Sequence, residues 1–108
     1  MILIDTSAWI EYFSGGVFSK KVEALWEEDN ITPTIVLVEL SIRAEKEGWK
    51  FDNYLNFIKS KSIIVELNEQ IIIDVGKIYL AQRRIKSGFG ICDAIIYSTA
   101  LFEKAKVL

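Results

Sequence analysis

Short apolar runs that end abruptly in polar residues alternate with longer amphipathic stretches, and this alternation leaves the chain few folds to adopt. The first run, Ile2-Leu3-Ile4, is closed by Asp5-Thr6-Ser7. A run this short and this rich in β-branched residues suits a buried parallel strand. Thr6 or Ser7 is then placed to cap a helix over Ala8–Phe13, which Ser14-Gly15-Gly16 stops. Ser19 is placed to cap a second helix reaching about Asp29, with Val22, Leu25 and Trp26 at helical spacing.

The pattern then repeats without repeating the sequence. Asn30–Thr34 reads as a short strand and turn before a helix over roughly Ile35–Lys46, ended by Gly48. Phe51, Tyr54, Leu55 and Ile58 fall at i, i+3, i+4 and i+7 of a further helix over Phe51–Lys59. Ser62–Leu67 reads as a strand, and Asn68 caps a long helix from Glu69 to about Lys86. After the loop Ser87-Gly88-Phe89-Gly90, Ile91–Lys104 forms a last helix and Ala105–Leu108 begins a strand. Strands alternating with helices predict an α/β architecture with a largely parallel central sheet, in which sites form outside the carboxyl ends of the strands. With 108 residues, one domain spanning 1–108 is expected.

Composition narrows the chemistry. Half the chain is apolar, yet charges interrupt every long apolar stretch, so no membrane span and no cleavable leader is expected; the default location is the cytoplasm. There is one cysteine, Cys92, and no histidine. A disulfide within the chain, a Cys/His zinc site and any catalytic apparatus with imidazole are therefore excluded. The polar machinery has to be carboxylates, hydroxyls, Lys, Arg or a bound hard metal. A net charge of −2 gives no overall field for nucleic acid, so contact with phosphates would need a local basic patch.

Three carboxylates stand out by position. Asp5 follows the first strand at its carboxyl end; taken alone this is a helix-cap position, but Thr6 and Ser7 can cap equally well. Glu39 shares a helical face with Ile35, Val36 and Leu40, the strip expected to pack inward. There it needs either Arg43, one turn on, or a cation. Asp93, in Gly90-Ile91-Cys92-Asp93-Ala94-Ile95-Ile96, suits the dipole of the last helix. Its apolar neighbours imply a partly buried helix start that needs a specific partner, which Mg²⁺ or Mn²⁺ would supply.

These residues carry a resemblance. Met1-Ile2-Leu3-Ile4-Asp5-Thr6-Ser7-Ala8-Trp9-Ile10-Glu11-Tyr12-Phe13 closely resembles the opening of PIN-domain proteins of the VapC toxin type. Val38-Glu39-Leu40 falls where that family places its glutamate. Cys92-Asp93-Ala94-Ile95-Ile96-Tyr97-Ser98-Thr99-Ala100 resembles its Asp-Ala-hydrophobic segment ending in Thr-Ala. The resemblance covers essentially the whole chain. It implies a PIN-like three-layer sandwich with a five-stranded parallel sheet of order 3-2-1-4-5. It also implies Mg²⁺- or Mn²⁺-dependent cleavage of RNA, a VapB-like antitoxin as partner, and a homodimer. Asp5, Glu39 and Asp93 would be the metal ligands and catalytic carboxylates, with Thr6, Ser98 and Thr99 as hydroxyls supporting them. Helix capping by Thr6 and bonding of Ser98 and Thr99 to their preceding turn are the structural alternatives. The family pattern continues past the equivalent of Val107-Leu108 into Thr-x-Asp-x-x-Phe, whose Asp is a fourth carboxylate. This chain stops short of that segment, so a shortened last strand and a weakened second metal position are expected. Glu11 and Glu45 read as surface charge rather than as replacements.

Gln82-Arg83-Arg84-Ile85-Lys86-Ser87-Gly88 sets Arg83, Arg84 and Lys86 just before the loop leading to Asp93. They suit a solvated helix end, or contacts with RNA phosphates, or both. Trp9, Tyr12, Phe13, Trp26, Trp49 and Phe51 read as core or as partner surface. Beside the ribonuclease stands a second expectation, a catalytically weak PIN scaffold that binds antitoxin or RNA. A small-molecule domain is disfavoured because no Gly-rich phosphate loop is present.

Overall fold

The computed structural model describes all residues, Met1–Leu108. Strand β1 (Ile2–Leu3) leads into helix α1 (Thr6–Phe13) and helix α2 (Ser19–Ala24), which tightens into a 3₁₀ turn at Leu25–Glu27. Strand β2 (Asn30–Pro33), helices α3 (Thr34–Glu47) and α4 (Phe51–Lys61), and strand β3 (Ile63–Val65) follow. Helix α5 (Glu69–Arg83), helix α6 (Ile91–Glu103) and strand β4 (Lys106–Val107) complete the chain.

The sheet is parallel throughout, with order β3-β2-β1-β4. This α/β sheet flanked by helices is the expected architecture with four strands rather than five: the first four hold their expected order, and no fifth is present. Chain direction across the sheet reverses once. It runs from β1 outward through β2 to β3, then returns past β1 to β4. With right-handed crossovers, the helices before β3 and those after it fall on opposite faces. The reversal makes the carboxyl ends of β1 and β4 a topological switch point, where such sheets open a crevice.

Leu3, Ile4, Ile31, Trp9, Val36, Leu40 and Ile58 form the core, with Ile96 and Ala100 of α6 closing it. Trp9 is fully buried, and its indole N–H donates to Thr32 Oγ1 at 3.1 Å; the same hydroxyl lies 2.7 Å from Ser62 Oγ. Three segments are thus pinned by polar groups that would otherwise be costly to bury.

Several boundaries differ from those the sequence predicts. The second helix is shorter because Trp26 turns to pack edge-on against Tyr12 at 4.7 Å and Phe57 at 5.3 Å, and the backbone tightens there. Phe18, not Ser19, is its N-cap, and no side chain caps it. The long helix stops at Arg83 rather than Lys86, because the Arg83 guanidinium donates to Phe89 O at 3.1 Å and closes the following turn. Gly48 does end α3, at φ 75°, a conformation that favours glycine. Trp9 is core; Tyr12, Phe13, Tyr54, Phe57 and Trp26 form one half-buried aromatic cluster, with Trp49 tilted against Tyr54 at 5.2 Å.

Trp9→Phe should lower the unfolding free energy by about 1–3 kcal/mol, from the lost hydrogen bond and ring volume, seen as a lower urea midpoint at an unchanged denaturant slope. No change in midpoint would mean that the Trp9–Thr32 bond contributes nothing.

Candidate metal centre

Asp5, Glu39 and Asp93 come from three elements that meet at the carboxyl side of the sheet. Asp5 directly follows the β1 segment and is the N-cap of α1, its Oδ1 accepting from Ala8 N–H at 3.0 Å. The cap expected at Thr6 or Ser7 is thus Asp5 itself, and Thr6 is free for another role. Its Oγ1 donates to Glu39 Oε1 at 2.6 Å, tying the first turn of α1 to the second turn of α3. A hydroxyl-to-carboxylate bond this short is charge-assisted and fixes the rotamer of Glu39.

Glu39 is half-buried beside the fully inward Val36 and Leu40. Arg43, considered as its partner, pairs instead with Glu47 at 3.1 Å on the exposed face, and this is the one ion pair in the structure. Asp93 lies in the first turn of α6, and its Oδ2 accepts from Gly90 N–H at 2.9 Å, the return half of a capping box. The start of α6 is partly buried, with Phe89 and Ala94 enclosed and Cys92 half-buried, but the carboxylate itself is not. Asp93 is exposed, and Ile91 beside it is exposed too, because the buried face of this helix begins at Ala94 and Ile96.

Asp5 lies in the field of the other two carboxylates. Burial pushes the Asp5 carboxyl above its ordinary range; the bond from Ala8 N–H opposes this, while the charges of Glu39 and then Asp93 push it further up. Cys92 was not singled out for the site, yet burial followed by Glu39 and Asp93 pushes its thiol up as well. In the metal-free chain this favours the protonated thiol. None of the three carboxylates has a basic partner. All-oxygen donors that repel one another and lack a counter-charge suit a hard divalent cation. The fit has a limit: no three His, Cys, Asp or Glu side chains stand close enough to share one ion.

The remaining expected residues divide. Ser98 and Thr99, read as supporting hydroxyls, do not reach the carboxylates. Ser98 is buried and donates to Ile71 O at 2.7 Å, joining α6 to α5, and Thr99 donates to Ile95 O at 2.8 Å within its own helix. Arg83 is occupied by Tyr79 Oη and Phe89 O, each at 3.1 Å, so it braces the loop before α6. Arg84 and Lys86 are exposed, and Lys86 shares a cleft of about 450 Å³ with Asp93 and Tyr97. On the other side, a cleft of about 480 Å³ joins Asp5 to Glu11, Phe18, Lys21 and Leu108. Glu11 is surface charge that also acts locally, since its Oε1 accepts from Phe18 N–H at 3.1 Å.

A doubly flanked β1, carboxylates at a switch point and helices on a parallel sheet define an α/β domain of the PIN class. The PIN-domain family model matches residues 2–108, so the chain belongs to the PIN-domain family. A search of curated proteins returns no match. Among solved structures, a toxin–antitoxin complex from Klebsiella pneumoniae is similar at 23% identity and TM-score 0.72, over 99% of this chain and 83% of that one. VapBC2 from Rickettsia felis, bound to a promoter DNA fragment, is similar at 21% identity and TM-score 0.78, over 99% and 85%. VapC20 from Mycobacterium tuberculosis, a toxin that cleaves the sarcin-ricin loop, is similar at 15% identity and TM-score 0.74, over 97% and 85%. Likeness at these identities carries the fold.

The raised Asp5 pKa has a consequence for stability. The folded state holds this proton more tightly than the unfolded chain. The resulting stability is full below the ordinary carboxylate range and is lost as pH rises through the folded-state value. Asp5→Asn keeps an acceptor for Ala8 N–H and removes the charge. In a chelator-containing buffer at pH 7 it should unfold at higher urea than the parent chain, and the gap should close as pH falls and the parent carboxyl protonates. A lower midpoint at pH 7 would refute a net cost of burying this charge beside Glu39 and Asp93.

Proposed function

We propose that the chain is a metal-dependent endoribonuclease, the toxin half of a VapBC-type pair, with one catalytic domain over residues 1–108. The single observation that carries this is the placement of three carboxylates without basic partners, Asp5, Glu39 and Asp93, at the switch point of a PIN fold. They would hold Mg²⁺ or Mn²⁺. When bound, such an ion stabilises charge developing on a phosphoryl group and makes water more acidic, which suits a chain with no histidine to serve as base.

The chain's own residues supply the positioning. Asp5 is held by its cap bond to Ala8, Asp93 by Gly90 N–H, and Glu39 by Thr6. Each carboxylate is thereby oriented by a group on rigid secondary structure or at its edge. Lys86 stands in the cleft with Asp93, and Arg84 stands in solvent two residues before it; both suit RNA phosphates. Apolar side chains left in solvent, Val38 and Ile42 on α3 and Leu80 and Leu101 on α5 and α6, support a VapB-like antitoxin and a second copy as partners. A cytoplasmic location belongs to the same reading; no helix is long and apolar enough to cross a membrane.

One observation favours a second reading. The carboxylates do not converge on a common ion position as they stand, which suits a PIN scaffold that binds antitoxin or RNA with little cleavage. Cleavage of labelled RNA by the purified chain decides between the two. The nuclease reading expects turnover with Mn²⁺ or Mg²⁺, none with chelator, and a loss of more than about a hundredfold in Asp5→Asn, Glu39→Gln and Asp93→Asn. Metal-independent cleavage, or full activity in these variants, would sink it; RNA or antitoxin binding with no turnover at any metal concentration would leave the scaffold.

Thr6→Val tests the positioning of Glu39 separately. Loss of this hydroxyl should weaken Mn²⁺ binding, measured calorimetrically, by about ten- to a hundredfold, while the fold is kept. Unchanged affinity would mean that Glu39 needs no anchor.

A further inference from the structure

The cleft beside Asp5 holds an arrangement that the carboxylates do not explain. Phe18 is 54% exposed and lines this cleft. It is not loosely held. Its N–H is bound by Glu11 Oε1, and its carbonyl accepts from Lys21 N–H at 3.0 Å and Val22 N–H at 3.2 Å. The approach to it depends on two glycines. Gly15 has φ +68°, and a Cβ on Gly16 would run into the Glu11 carboxylate that holds the loop. The Lys21 ammonium lies 5.2 Å from the centre of the Phe18 ring. An exposed aromatic fixed at its backbone, a cation over one of its faces that leaves the other for a base, and continuity with Asp5 in one cleft are the parts of a single-stranded nucleic-acid groove.

We propose that this cleft is a nucleotide subsite next to the scissile phosphate, with Phe18 stacking on a base and Lys21 meeting an adjoining phosphate. The inference rests on the ribonuclease reading and adds specificity-determining residues to it. Stacking on a phenyl ring accepts any base, so the subsite selects for an unpaired nucleotide rather than for a sequence. Glu11 and Gly16 act through Phe18, as positioning residues. Lys21 is the one cation lining the cleft, and the Glu11 carboxylate keeps its charge while accepting from Phe18 N–H, so the phosphate position lies on the Lys21 side.

The test uses the full chain carrying Asp93→Asn, so that the probe survives, and a short fluorescein-labelled single-stranded RNA read by anisotropy with Mn²⁺ present. Adding Phe18→Ala should raise Kd about tenfold, and Phe18→Trp should restore it. Lys21→Ala should reduce the slope of log Kd against log salt by about 0.7. On an RNA of the same length with abasic positions, the Phe18→Ala penalty should vanish, which a merely structural role would not produce. An unchanged Kd in Phe18→Ala, or an equal penalty on the abasic strand, overturns the subsite even if the parent chain cleaves RNA. Loss of antitoxin binding in Phe18→Ala with RNA binding intact makes the ring a protein contact and likewise overturns it. If the parent chain neither binds nor cleaves RNA, the subsite and the ribonuclease reading fall together.

Discussion

Strand β1 is hydrogen-bonded on both edges, Ile2 and Leu3 pairing with Asn30 and Ile31 on one side and with Lys106 and Val107 on the other. Two residues of strand are little to build on, and their burial is what makes them sufficient. Leu3 and Ile4 are both fully enclosed, so the direction of the chain as it leaves the sheet at Asp5 is set by packing on both faces. From that exit, α1 begins at once and places Thr6 against Glu39 of α3. Loss of either edge partner would free the exit and, with it, the relation between Asp5 and the helix across from it.

The same exit explains how one residue serves two ends. Asp5 satisfies an orphan N–H of α1 and also projects charge toward Glu39 and Asp93. The cap bond lowers the cost of keeping a carboxylate where burial and like charge oppose it, and does so without a cation from the protein. Asp93 repeats the device at α6 with Gly90 N–H, in a more exposed setting. Backbone N–H groups therefore hold two of the carboxylates and a hydroxyl holds the third. None is neutralised, and that leaves their negative charge available to a divalent ion.

The alternation of strands and helices, the Gly48 stop and the Asn68 cap were legible because each is local: a hydrophobic period, a left-handed turn, an oxygen accepting from Ile71 N–H at 2.9 Å. The positions of Asp5, Glu39 and Asp93 were legible as anomalies and through the family pattern. What escaped is non-local. Thr6 and Glu39 are on different elements, and their bond exists only once β1 and β2 are in register. The apolar run around Asp93 suggested burial, but hydrophobic residues at a helix start need not face inward, and Ile91 does not. Trp26 shortened a helix by turning toward Tyr12 and Phe57, a preference of packed rings that spacing along the chain does not encode.

Phe18 is the clearest case of a residue without a sequence signal. It sits between a pair of glycines and the first turn of α2, outside any hydrophobic period, and would pass as loop. Its meaning comes from three neighbours far enough apart in character to be unrelated on paper: a carboxylate that binds its N–H, a lysine over its ring, and Asp5 across the cleft. The Gly15-Gly16 turn would have been sufficient to end α1; a turn alone does not require an aromatic ring in solvent. With its backbone already fixed by Glu11 at the edge of the cleft, a ring that stacks there meets a base without first having to order the segment that carries it, and that lowers the entropic cost of binding.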